Sequence, residues 1–187
     1  MGIFKIFLLS LAAAFSENLI FSKYLGFEPF FTETRDTKTA LLSGASITVL
    51  TAVTCFVTSL ADVLLLKNFS IEYMRTVVFV LIMVILWKGL MSFQKKTKLP
   101  ISHILSGTAV LGTALIVSSN GFNPFEALVY GILAGVGYMI SAFIFASVRE
   151  RLKYSTVPKF FEGIPMLLIT AGLIALAFAG FSGMKFI

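Results

Sequence analysis

Six apolar runs of about twenty residues follow one another along this 187-residue chain, and only short polar connections separate them. A helix rises about 1.5 Å per residue, so a run of that length spans the ~30 Å hydrocarbon layer of a bilayer. Inside lipid every backbone N–H and C=O must be paired within the protein, which leaves helices and closed barrels as the only spanning structures. Uninterrupted apolar runs, without the alternation of a barrel strand, select helices. The segments cover about 2–24, 40–66, 74–93, 101–119, 126–148 and 163–184. The expected fold class is an all-α integral membrane protein with six transmembrane helices, forming a single transmembrane domain over 1–187.

Composition supports this and removes other classes. Residues are 58% hydrophobic and 13% charged, with a mean hydropathy of +0.96, and a soluble domain of this size needs more charge to cover its core. The net charge of +6 has no soluble domain on which to form a basic face, so it speaks for topology and against nucleic acid. Cys55, the single cysteine, lies inside an apolar run and provides no disulfide framework and no cysteine cluster for a metal. The opening stretch, with Lys5, an apolar core and Ala12-Ala13-Ala14, has features of a signal peptide. Its apolar character continues through "ENLIFSKYLGF", so it reads as the first membrane helix.

Charge gives the orientation. The first, third and fifth connections carry nine Lys and Arg: Arg35, Lys38, Lys95, Lys96, Lys98, Arg149, Arg151, Lys153 and Lys159. The termini and the other two connections carry four: Lys5, Lys67, Arg75 and Lys185. Basic loops stay in the cytoplasm, so both termini are expected outside the cytoplasmic membrane of a bacterium or archaeon. Six helices divide into two sets of three, over about 1–95 and 96–187, and an odd number per set makes the halves an inverted repeat. A short echo accompanies that division: "GFEPF" at 26–30 and "GFNPF" at 121–125, each just after an apolar segment.

Charged groups within apolar segments are costly and each demands a partner or a purpose. Glu17, followed by Asn18, lies inside the first segment. It reads either as an ion, proton or polar site where backbone is unwound, or as a carboxylate paired with a neighbouring lysine or helix end. Glu28 precedes Pro29, which has no N–H and biases Glu28 away from helical geometry, and Gly26 adds freedom. The first segment is therefore expected to break at Gly26–Pro29, with an interfacial helix end as the plainer alternative. Asp62 and Glu126 fall near segment ends, where solvation is expected, and His103 stands alone at the start of the fourth segment. "SGAS" at 43–46 resembles an acceptor pattern for covalently attached flavin, but it lies at the predicted cytoplasmic end, opposite to that chemistry. Gly131, Gly135 and Gly137 form a small-residue face for helix packing, with the pairing of related subunits as one use for it. No nucleophile–base constellation or nucleotide-binding loop is present, so no catalytic residue is assigned.

The strings "RERLKYSTVP" and "LITAGLIALAFAGFSG", within residues 135–183, resemble the RnfA/NqrE family, and "ENLIFSKYLGFEPF" and "YMRTVVFVL" extend the likeness over the chain. These are six-helix subunits of the Rnf complex and of the sodium-pumping NADH:quinone reductase. The resemblance implies inverted repeats, outward termini, and first and fourth helices interrupted at mid-membrane. In that family each interruption contributes a cysteine, in LGxCPF and TNCAVLG. With two more from a sister subunit, RnfE or NqrD, they hold an iron or iron–sulfur centre that carries electrons across the bilayer.

Here "LGFEPF" puts Glu28 at the first cysteine position, and "SGTAVLG" at 106–112 puts Thr108 at the second. The chain is accordingly expected to bind no iron–sulfur centre by itself, with flavins and iron–sulfur clusters confined to partner subunits. Its expected role is a membrane subunit of an Rnf/Nqr-like ion-translocating electron-transport complex, with no autonomous active site. The alternative is a transporter or structural subunit derived from the fold, with Glu17, Asn18, Glu28 and Thr108 as an ion or polar site.

Reporter fusions test the orientation. We predict a cytoplasmic signal for a fusion after residue 97 and an outside signal at the C-terminus; a cytoplasmic C-terminus contradicts the charge reading.

Overall fold

The computed structural model describes residues 18–26, 36–66, 72–97, 107–154 and 158–180. Among them the chain forms helices and turns, without strands: α1 (Thr37–Ala61), α2 (Arg75–Thr97), α3 (Gly107–Ser119), α4 (Pro124–Leu152) and α5 (Ile164–Ala179). Each coincides with one of the second to sixth apolar segments. A π-helical turn, Asp62–Leu66, extends α1, and single 3-10 turns at Glu72–Met74 and Lys159–Phe161 lead toward α2 and α5. Two helices, Thr37–Leu64 and Pro124–Leu152, are each long and apolar enough to cross a membrane.

Local chemistry sets the helix ends. Pro124 opens α4 at a position where its missing N–H has no consequence, and the Asn123 N–H donates to Glu126 Oε2 at 3.0 Å. Glu126, expected to be solvated, is thus half-buried and bonded. Arg149 and Arg151 occupy the last turn of α4, where cations favour the negative end of the helix dipole.

α1 and α4 cross antiparallel at the centre, and glycines allow their backbones to approach. A Cβ added at Gly135 would lie 2.6 Å from Thr48 Cα, one at Gly131 3.0 Å from Ala52 Cα, and one at Gly44 2.9 Å from Met139 Cα. Lipid tails are as apolar as leucine, so association between membrane helices rests on this close packing. Gly131 and Gly135 therefore face α1 of their own chain, which leaves them no room for a second subunit. Gly137 is buried as well.

Polar groups tie the helix ends together. Arg75 Nε donates to Asp62 Oδ1 at 2.9 Å and Ser118 Oγ donates to Oδ2 at 3.2 Å. Asp62 is only 4% exposed, which corrects the expectation of a solvated carboxylate. The ends of α1 and α3 and the start of α2 meet there, enclosing a group that looks terminal in sequence. At the opposite end the Thr37 N–H, in the first turn of α1, donates to Glu150 Oε1 at 2.7 Å, and Lys153 lies 3.5 Å from Asp36. The second and fourth connections thus gather at one end and the first and fifth at the other.

Glu150 lies beyond the apolar part of α4 and caps α1 from a different helix. Hydrogen bonds from the Thr37 side chain and backbone hold its carboxyl below the ordinary value. A carboxylate depressed on folding contributes stability above its unfolded pKa of about 4.3 and loses it as pH falls through the lower folded value. We predict that the thermal midpoint of the detergent-solubilised chain drops on acidification through and below pH ~4, and that Glu150→Gln lowers the neutral midpoint and flattens that drop. Identical pH profiles for the two proteins contradict the cap.

Candidate functional site

Asn18 is fully buried, and both its polar atoms are engaged. Its Nδ2 donates to Ser141 Oγ at 2.7 Å and to the Gly137 carbonyl at 3.2 Å, both on α4. Its Oδ1 accepts the N–H groups of Ile20 at 3.0 Å and Phe21 at 3.4 Å, as an N-cap does. A new turn therefore begins at Asn18, whose carbonyl accepts from both Ser22 and Lys23, while the Leu25 N–H reaches back to the Leu19 carbonyl at 2.7 Å. Tyr24 and Gly26, at φ 56° and 76°, take left-handed backbone and end the turn. Residues 18–26 are thus no continuation of a regular helix. The irregular backbone begins eight residues before Gly26, earlier than expected, because the Asn18 side chain competes for backbone donors.

The turn is anchored by burial. Leu19, Ile20 and Phe21 are 2%, 0% and 3% exposed. Ile20 and Phe21 join a core with Ala109, Tyr138 and Phe145, and Leu19 joins another with Cys55, Val117 and Tyr130. The Phe21 ring also stacks on Phe178 of α5, centroids 5.1 Å apart. Glu17, Glu28, Pro29 and His103 lie outside the described residues.

The far end of this turn meets the start of α3. The Gly26 N–H donates to Thr108 Oγ1 at 3.0 Å. A Cβ at Gly26 would stand 2.8 Å from Ala109 Cβ and 3.1 Å from Tyr138 Cε2, so only glycine allows this approach. α3 has 13 residues, hence a length of about 20 Å against ~30 Å of hydrocarbon. Thr108 itself is exposed at the helix start.

These residues do not fit thiolate-held iron. Thr108 presents a neutral hydroxyl that already accepts a backbone N–H, whereas iron–sulfur ligation needs soft thiolate sulfur. Cys55 is fully buried in the α1–α4 contact, where a Cβ at Gly131 would lie 3.1 Å from its own. Asn18, with both amide N–H bonds and two accepted bonds used internally, is a clamp on α4. Sequence reasoning places Asn18 and Thr108 among the candidates but misses Ser141. Its signal is the Gly137/Ser141 pair, four residues apart on one helix face.

We predict that Thr108→Val, which strands the Gly26 N–H, costs about 1–3 kcal/mol, while Thr108→Ser stays near wild type. Thermal denaturation in detergent checks this; equal midpoints for all three proteins contradict the bridge.

The family model described as "Rnf-Nqr subunit, membrane protein" matches residues 6–185. Over 183 residues the chain is 36% identical to a membrane component of the Na(+)-translocating ferredoxin:NAD(+) oxidoreductase complex of Acetobacterium woodii, covering 94% of this chain and 95% of that one. It is 32% identical to the corresponding component of the ion-translocating oxidoreductase complex of Syntrophotalea carbinolica, covering 96% and 97%. The protein of the same description from Shigella flexneri is 33% identical, covering 95% and 96%. With a family match over nearly its whole length and these relatives at full coverage, the chain belongs to the Rnf-Nqr family of membrane proteins.

Proposed function

We propose that this chain is a membrane subunit of an Rnf-type ion-translocating electron-transport complex, one that lacks an iron centre of its own. The full-length likeness to proteins that share one position in such complexes carries the first part. The Gly26–Thr108 hydrogen bond carries the second: a hydroxyl stands at the family's thiolate position and closes the gap between two segments. Flavins and iron–sulfur clusters belong, on this reading, to partner subunits.

The finer architecture forms part of the proposal: six spans, two inverted three-helix repeats over 1–95 and 96–187, and both termini outside the cytoplasmic membrane. Two observations support it. A broken segment, α1 and α2 are followed by a short helix, α4 and α5, with α1 and α4 antiparallel at the centre. Gly26 and Gly121 of the two "GF" echoes also share left-handed backbone, at φ 76° and 64°. A homologous RnfE/NqrD-like subunit is the proposed neighbour of Thr108. An exposed helix start and irregular backbone persist at membrane depth only when protein or a polar cavity covers them.

Pull-down of the tagged chain from its native membranes in mild detergent tests the assignment. The expected result is co-purification of flavin-bearing subunits together with a related six-span protein. Recovery of the chain without either contradicts it.

A further inference from the structure

We infer that the chain carries a binding site for an anionic phospholipid at the end where its basic loops gather, with an acyl chain between α4 and α5 and the phosphate on Arg151. The groove has a volume of about 520 Å³ and is walled by Ile140, Ile144 and Val148 of α4 and by Leu173, Ile174 and Phe178 of α5, among others. Its lining is almost wholly apolar, with Thr170 bonding the carbonyl of Leu167 within its own helix at 2.9 Å. Such a slot between two helices of a membrane protein takes a hydrocarbon chain.

Helical spacing leads from the groove to a cation. Ile140, Ile144, Val148 and Arg151 follow at i, i+4, i+8 and i+11, one stripe on α4, and Arg151 stands a turn beyond the last apolar position. Arg151 lines a second cavity of about 530 Å³ with Asp36, Ser147, Glu150, Lys153 and Tyr154. Both carboxylates there are engaged: Asp36 faces Lys153 at 3.5 Å and Glu150 accepts the Thr37 N–H at 2.7 Å. Arg151 is exposed and has no carboxylate partner among the described residues. A guanidinium so placed matches a phosphate with two parallel N–H donors.

The surroundings fit a membrane interface. Tyr154, Phe160 and Ile164 are 92%, 95% and 71% exposed, with Lys159 beside them, which is the mixture of aromatic and basic side chains found at headgroup level. Basic pockets between membrane helices on the positive side select anionic headgroups. Apolar slot, cation and aromatic rim therefore follow one another in the order of an acyl chain, a phosphate and the interface.

Native mass spectrometry of the full chain, purified alone and with its co-purifying partners, tests the site with phosphatidylglycerol or phosphatidylcholine added in detergent. The expected result is retention of phosphatidylglycerol in preference to phosphatidylcholine, reduced about fivefold by Arg151→Ala. Ile144→Trp, which fills the slot and leaves the headgroup contact, is expected to reduce retention as well. Unchanged elution of both variants on size-exclusion chromatography shows that the fold is intact. Equal retention of the two lipids, or phosphatidylglycerol retention indifferent to both variants, overturns the inference. It is also overturned if Ile144→Trp releases a protein partner while lipid retention stays constant, since a helix then fills the groove.

Discussion

Backbone that leaves helical geometry inside a bilayer must find its hydrogen bonds within protein, and in this chain Asn18 meets that demand. One buried amide accepts the first N–H groups of the turn and donates to α4 through Gly137 and Ser141. It does so without charge, which matters because an unpaired ion at that depth costs on the order of 3 kcal/mol. Leu19, Ile20 and Phe21 then fill the space around α4, so the polar clamp and the apolar plug hold the same short piece of chain. The left-handed exit at Tyr24 and Gly26 follows from this anchoring, and it delivers the Gly26 N–H to Thr108.

The clamp needs a rigid partner, and the α1–α4 pair supplies it. Glycines at 44, 131 and 135 bring the two backbones close enough for packing to replace the hydrophobic drive that lipid removes. Polar ties at the two ends, Asp62 with Arg75 and Ser118, and Glu150 with Thr37, fix the crossing against rotation. Gly137 and Ser141 are thereby held where Asn18 can reach them. On the proposed reading, the short α3 and the broken first segment form the variable part of the fold, and the α1–α4 pair is the frame.

What the sequence discloses depends on how local each cause is. The lengths of the apolar runs mark the helices, and Pro124 and Gly163 mark starts, because those effects act within a few residues. The break in the first segment is legible at Gly26 through its backbone preference, yet it begins at Asn18, whose partners lie more than a hundred positions away. Asp62 looks like an exposed end until α2 and α3 converge on it. Gly131 and Gly135 announce close packing without saying against what; only the fold names α1. Thr108 is the instructive residue. Alignment with a family motif singles it out, and the bond it accepts from Gly26 explains why a hydroxyl serves there.

The central claim is that a side-chain-to-backbone hydrogen bond joins the two segments where relatives are expected to use metal. An electron cryomicroscopy structure of the chain within its native complex measures this most directly. The account predicts Gly26 N within hydrogen-bond distance of Thr108 Oγ1, with no metal density between residues 28 and 108. Metal density bound to Glu28 or Thr108, with Gly26 and Thr108 parted, would contradict it.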